Sequence, residues 1–146
     1  MHILVDQTLA YEICPILEIL GHEATYFNDL GVDALPDLES LEILQNYDCF
    51  LTAAIFRDPV EWLAIHEAML RHGTKVVQLR LPKVITDPAL DALRCLVPKM
   101  ERWLTCVEEG CSLVVVSSGG MKVRGRMKDE VADMLRQRDD SDEVYR

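Results

Sequence analysis

His2-Ile3-Leu4-Val5-Asp6-Gln7-Thr8-Leu9 is the stretch from which the rest of the chain can be read. Its first half is an apolar run of strand length that stops abruptly at an acid, and from Leu9 onward the apolar spacing turns helical. An apolar run without clean alternation describes a strand covered on both faces, the usual state of a parallel strand. In an open α/β sheet, ligands bind in the crevice beyond the carboxyl ends of the strands. The reading therefore places Asp6 at the mouth of such a crevice.

Working outward, Leu9, Ile13, Ile16, Leu17 and Leu20 share one helical face, which predicts a helix over residues 9–20. Pro15 predicts a late start or a kink, and Gly21 closes the helix where a left-handed cap costs little. A strand is expected over 24–27, a loop over 28–35, and a short helix over 36–45. Pro36 suits the first turn of that helix, and Asp37 and Glu39 sit near its positive end. A third strand covers 49–53. Asp58-Pro59-Val60-Glu61 opens a helix that runs to His72, and a strand follows over 75–79. Asp87-Pro88 opens a longer helix, kinked or split at Pro98 and stopped by Gly110. Strands over 112–116 and 121–124 flank Ser117-Ser118-Gly119-Gly120, a hairpin signal. Met127, Val131, Met134 and Leu135 predict an amphipathic helix over 127–138, ahead of an acidic, frayed tail over 139–146. This order implies an α/β fold: a mainly parallel, helix-flanked sheet with right-handed crossovers and a C-terminal β-hairpin.

A chain of 146 residues forms one domain with a sizeable core. No apolar run approaches the ~20 residues needed to span a bilayer, and no basic segment followed by a signal-type apolar region opens the chain. A cytoplasmic location is expected. The five cysteines include no C-x-x-C pair, and Cys14, Cys49 and Cys95 lie in apolar runs. This argues against a disulfide framework or a zinc site. A formal charge of -10 argues against an indiscriminate grip on nucleic acid. It leaves room for a local basic patch or a metal-bridged phosphate.

Asp6, Asp29, Asp37 (with Glu39 beside it) and Asp58 are the acids that the strand ends could gather. Clustered carboxylates suit Mg²⁺ or Mn²⁺, which take oxygen ligands, and such ions activate water against a phosphodiester. Each acid also has a structural reading. Asp58 is a helix cap, Asp37 and Glu39 are first-turn acids, Asp29-Leu30-Gly31 is a turn, and Asp6 could cap the first helix. Lys122, Arg124, Arg126 and Lys128 form the one basic cluster, either a solvated edge strand or a contact for RNA phosphate or an acidic partner. No G-x-G-x-x-G or P-loop follows a strand, no Gly-x-Ser-x-Gly elbow exists, and His66 and His72 lack the spacing of a helical zinc pair.

In order and spacing the chain resembles the small prokaryotic PIN-like proteins of toxin–antitoxin type, over residues 1–126. Their opening Leu-x-Asp-Glu-Asn-Leu appears as Leu4-Val5-Asp6-Gln7-Thr8-Leu9, and the following Leu-Gly-His as Leu20-Gly21-His22. Their Asp-Leu-Gly loop and helix-opening acid appear as Asp29-Leu30-Gly31 and Asp37-Leu38-Glu39. Their Val-Val-x-Leu-Arg-Leu strand appears as Val76-Val77-Gln78-Leu79-Arg80-Leu81, and their basic final strand as Val123-Arg124. The resemblance implies a three-layer PIN-like domain over 1–126 with 127–146 appended. It further implies a metal-dependent ribonuclease lineage, Mg²⁺ or Mn²⁺ held by Asp6 and Asp37, and an antitoxin-like partner. In that lineage Asp6, Asp37, Glu39 and Asp58 would be the catalytic acids, and Lys122, Arg124 and Arg126 would contact RNA or a partner. The chain departs from the family where the chemistry lies. Gln7 stands in place of an acid, and Thr52-Ala53-Ala54-Ile55-Phe56 replaces a run of the form Thr-Arg-Asp-x-Asp-Phe. The expectation is a PIN-like protein whose nuclease activity is impaired or lost. The alternative is a non-catalytic interaction module that docks a partner, or a second copy, through its C-terminal amphipathic segment.

Overall fold

β1 (His2–Val5) ends one residue before Asp6, and the chain turns over at once, the Leu9 N–H donating to the Asp6 carbonyl at 3.0 Å. The computed structural model to which these distances belong describes residues 1–31, 43–53 and 73–123. α1 (Ile13–Ile19) starts four residues later than its apolar spacing begins, which puts Pro15 in the first turn. There its missing N–H has no intrahelical partner to lose. Gly21 ends the helix at φ +95°; its N–H donates to Glu18 at 3.0 Å, and that of His22 to Leu17 at 3.1 Å. These are the two bonds of a Schellman cap. Nothing would touch a Cβ added at Gly21, so the penalty of a side chain there is purely torsional. Gly21→Ala is expected to lower stability by about 1–2 kcal/mol in urea unfolding, with the fold unchanged.

β2 (Glu23–Tyr26) is followed by a 3₁₀ turn over Phe27–Leu30, and a second such turn, Leu44–Asn46, leads into β3 (Cys49–Thr52). β4 (Val76–Arg80) precedes α2 (Pro88–Leu96) and α3 (Met100–Glu108), which are separated at Pro98 by a 3₁₀ turn over Val97–Lys99. The Asp87 carboxylate caps α2 by accepting the Leu90 N–H at 3.1 Å. In return Asp91 accepts the N–H groups of Thr86 at 3.1 Å and Asp87 at 3.4 Å. β5 (Leu113–Ser117) and β6 (Gly120–Val123) form the expected hairpin. Neither glycine of its turn has a positive φ, so the turn is not of the mirrored type that Gly-Gly usually signals. The predicted helices over 58–72 and 127–138, most of that over 36–45, and the tail lie outside the described residues. No helix among the described residues is long and apolar enough to cross a membrane.

The six strands among the described residues form one sheet in the order β2-β1-β3-β4-β5-β6, parallel except for β6. The class is α/β. One face, built on Ile3, Val5, Leu51, Val77, Leu79, Val114 and Val116, packs against α1 through Ile13 and Leu17 and against α2 and α3 through Leu96, Trp103 and Val107. The other face, with Leu4, Phe50, Val76, Leu113 and Val115, is covered among the described residues by Phe27 and Leu44. Burial on both faces explains why these strands read as unbroken apolar runs.

Not every crossover is right-handed. α1 and the α2–α3 pair lie on the same face, yet β2 lies to one side of β1 and β5 to the opposite side of β4. Two connections that share a face and step in opposite directions have opposite hands. With L-residues pointing up the sheet and a side chain facing the viewer, that residue's N–H points right. Phe50 and Val76 share the face turned away from the helices, and their N–H groups reach Lys75 at 2.8 Å and Ser112 at 2.9 Å, so β3, β4 and β5 run left to right. The leftward step through α1 behind the sheet is right-handed, and the rightward step through α2 and α3 is left-handed. The usual rule describes a single helix packing straight back on the twisted sheet. Here the connection holds two helices broken at Pro98, and α2 touches α1 as well as β4 and β5.

Candidate functional site

The strand order puts β1 and β3 side by side, with the chain leaving β1 toward β2. This is the switch point at which ligands of open α/β sheets bind. Asp6 and Thr52 stand at the carboxyl ends of those two strands, 6% and 0% exposed. The Asp6 Oδ2 accepts two hydroxyl hydrogen bonds, from Thr8 Oγ1 at 2.7 Å and from Thr52 Oγ1 at 2.8 Å. Thr8 Oγ1 in turn accepts the Ala53 N–H at 3.0 Å. The Asp6 N–H donates to the Leu51 carbonyl at 2.9 Å. Main chain and side chain thus tie the end of β1 to the end of β3.

From the other flank Tyr26, the last residue of β2, donates its phenol O–H to the Leu9 carbonyl at 2.8 Å. Its ring meets Tyr11 edge-on, with centroids 5.5 Å apart. Burial raises the Tyr26 pKa, and the negative charge of Asp6 adds to the shift, with smaller additions from Glu12 and Asp29. The Asp6–Leu9 turn is therefore pinned from both neighbouring strands, in a locally negative field.

This arrangement limits the chemistry. Two donors on one carboxylate oxygen engage both of its lone pairs. The Thr8 hydroxyl faces a carboxylate, a far weaker base than the imidazole that activates a serine or threonine nucleophile. Hard cations need several oxygen ligands, preferably charged. Among the described residues no group of three or more metal-binding side chains exists, and Asp6 is joined by neutral hydroxyls. Taken by themselves, these residues do not fit Mg²⁺ or Mn²⁺.

Asp29 lies exposed on the turn after β2, near enough for its charge to be felt at Tyr26 but outside the hydroxyl network. Asp37, Glu39 and Asp58 lie outside the described residues, as do Arg124 and Arg126. Lys122 is exposed on the β6 edge, paired with Val115, and β3, β4 and β5 separate it from β1. Gln7 is exposed. Thr8, Thr52 and Tyr26 were not singled out from sequence. The available signal was a hydroxyl closing the apolar run Cys49-Phe50-Leu51, together with the Asp6-x-Thr8 spacing. Comparison of the chain with protein-family models, with characterised proteins and with solved structures returned no match.

Proposed function

We propose that the chain is a PIN-like protein of the metal-dependent ribonuclease lineage whose nuclease activity is impaired or lost. The observation that carries this reading is the Asp6 carboxylate, buried at the β1/β3 switch point and engaged by two threonine hydroxyls. Thr52 occupies the position of the threonine in the family's third-strand motif, and the acids that follow it there are replaced by Ala54 and Phe56. Binding of Mg²⁺ or Mn²⁺ would then require Asp37 or Glu39 to join Asp6, with Asp58 as a further candidate. Cleavage of a mixed-sequence RNA with Mn²⁺, comparing wild type with Asp6→Asn, is the test. Equal, background-level cleavage is expected. A wild-type rate more than about tenfold above Asp6→Asn, or about 1.4 kcal/mol of transition-state stabilisation, would overturn the reading.

A second reading, a non-catalytic interaction module, draws on exposed apolar side chains at the same end of the sheet. Val84 and Ile85, in the loop after β4, are 78% and 45% exposed, and Leu90 on the first turn of α2 is 44% exposed. Exposed apolar side chains near one another are what a contact surface would use. An antitoxin-like protein, or a second copy engaged through residues 127–138, is the partner this reading requires. Light scattering on the full-length chain, alone and with its genomic neighbour, decides it; a strictly monomeric state in both would count against it.

A further inference from the structure

α3 ends in a reversal that places two thiols together. Gly110 adopts φ +91°, its N–H donates to the Val107 carbonyl at 3.0 Å, and the Cys111 N–H donates to the Cys106 carbonyl at 2.9 Å. This pair of bonds is a Schellman cap, in which the side chain just past the glycine meets the one on the preceding helical turn, usually in an apolar contact. Here both side chains are cysteines. The Cys106 thiol is pushed up first by burial and then by the neighbouring Cys111 sulfur. Of the five free cysteines, Cys14, Cys49 and Cys95 are buried, whereas Cys106 and Cys111 are only partly so. Burial holds Cys14 up at about 11 and Cys49 up at about 12, so these two are inert thiols at neutral pH. A C-x-x-C spacing does not describe this pair, because the residues between its members supply a helix end.

We propose that Cys106 and Cys111 form a dithiol site that closes to an intramolecular disulfide by exchange with a small disulfide of the glutathione class. One cysteine loses its proton, and its thiolate attacks a sulfur of the small disulfide. A mixed disulfide forms, the S–S bond of the small molecule breaks, and one small thiolate leaves and takes up the proton. The second cysteine, deprotonated likewise, attacks the protein sulfur of the mixed disulfide and expels the second small thiolate, which is protonated in turn. The two protein thiols lose two electrons and two protons, and the small disulfide gains them. The backbone bond already joins the two residues, so closure demands little movement of α3 or β5.

The test is incubation of the full-length chain with oxidised glutathione, followed by titration of native thiols and mass mapping of the peptide that carries residues 106–111. The reactive thiols are expected to fall from two to none, and the peptide to lose two hydrogens, faster as pH rises through the alkaline range. Cys106→Ser and Cys111→Ser should each abolish the bridge and leave a glutathione adduct on the remaining cysteine. One equivalent of phenylarsine oxide, which needs two sulfurs within reach, should protect both thiols of the wild type and neither single variant. Stable glutathione adducts on the wild type without a bridge, or a bridge that forms only after denaturation, would overturn the proposal.

Discussion

Trp103→Ala is expected to cost about 3–5 kcal/mol, a large part of the 5–15 kcal/mol that holds a domain of this size together. Trp103 is 0% exposed and, among the described residues, is the largest fully buried side chain. It belongs to the core between α3 and the sheet, the same cluster as Leu96, Val107, Val114 and Val116. Its indole Nε1–H donates to the Leu96 carbonyl at 3.1 Å. That carbonyl belongs to the last turn of α2, where helical acceptors run out of partners. Alanine would leave a cavity and a buried carbonyl without its donor. Trp103→Phe separates the two effects: it keeps most of the volume, loses the hydrogen bond, and is expected to cost about 1–2 kcal/mol. Urea unfolding followed by circular dichroism measures both. For Trp103→Ala the midpoint temperature should fall on the order of 10 °C. A loss below about 1 kcal/mol would show that α3 does not belong to the cooperative core.

Asp6→Ala is expected to cost about 2–3 kcal/mol, because two hydroxyls lose a carboxylate acceptor that is itself buried. Thr8 is exposed and can turn its hydroxyl to solvent, whereas Thr52 is 0% exposed. Most of the loss should therefore be shared with Thr52, and the cycle built from Asp6→Asn and Thr52→Val should show a coupling of about 1–2 kcal/mol. The sign of the effect bears on function. A carboxylate kept for binding or catalysis among other acids usually destabilises its own fold, so its removal is neutral or stabilising. Loss of stability on removing Asp6 identifies a clamp between β1 and β3. A gain would revive Asp6 as a ligand and weaken the proposal that catalysis has been lost.

The elements legible in the sequence are those with local chemistry. Val5 to Asp6 ends a strand, Gly21 and Gly110 end helices, Asp87-Pro88 begins one and Pro98 splits one; each signal acts within a turn of its own position. The hand of the β4–β5 connection was not legible, because it depends on which face of the sheet α2 and α3 cover, which contacts between residues far apart in sequence settle. The same limit applies to the site. Asp6 could be singled out as an acid at a strand end, but its partners Thr8 and Thr52 become partners only once β1 and β3 are known to be neighbours. Thr52 lies 46 positions from Asp6, and an ordinary threonine in an apolar run gives no sign of what it will face.

β1 is made before either of its neighbours in the sheet, yet it ends up between them. β1 has β2 on one side and β3 on the other, and both of its faces are buried. During synthesis its apolar residues must wait, unpaired on one edge, until residues 49–52 emerge. A chain stalled or truncated before that point exposes Ile3, Leu4 and Val5 with no strand to complete them, which is the condition under which nascent chains recruit holding chaperones or aggregate. Amide exchange should record the same order in reverse. The Asp6 N–H, bonded to Leu51, should be among the slowest to exchange, released only when the whole sheet opens.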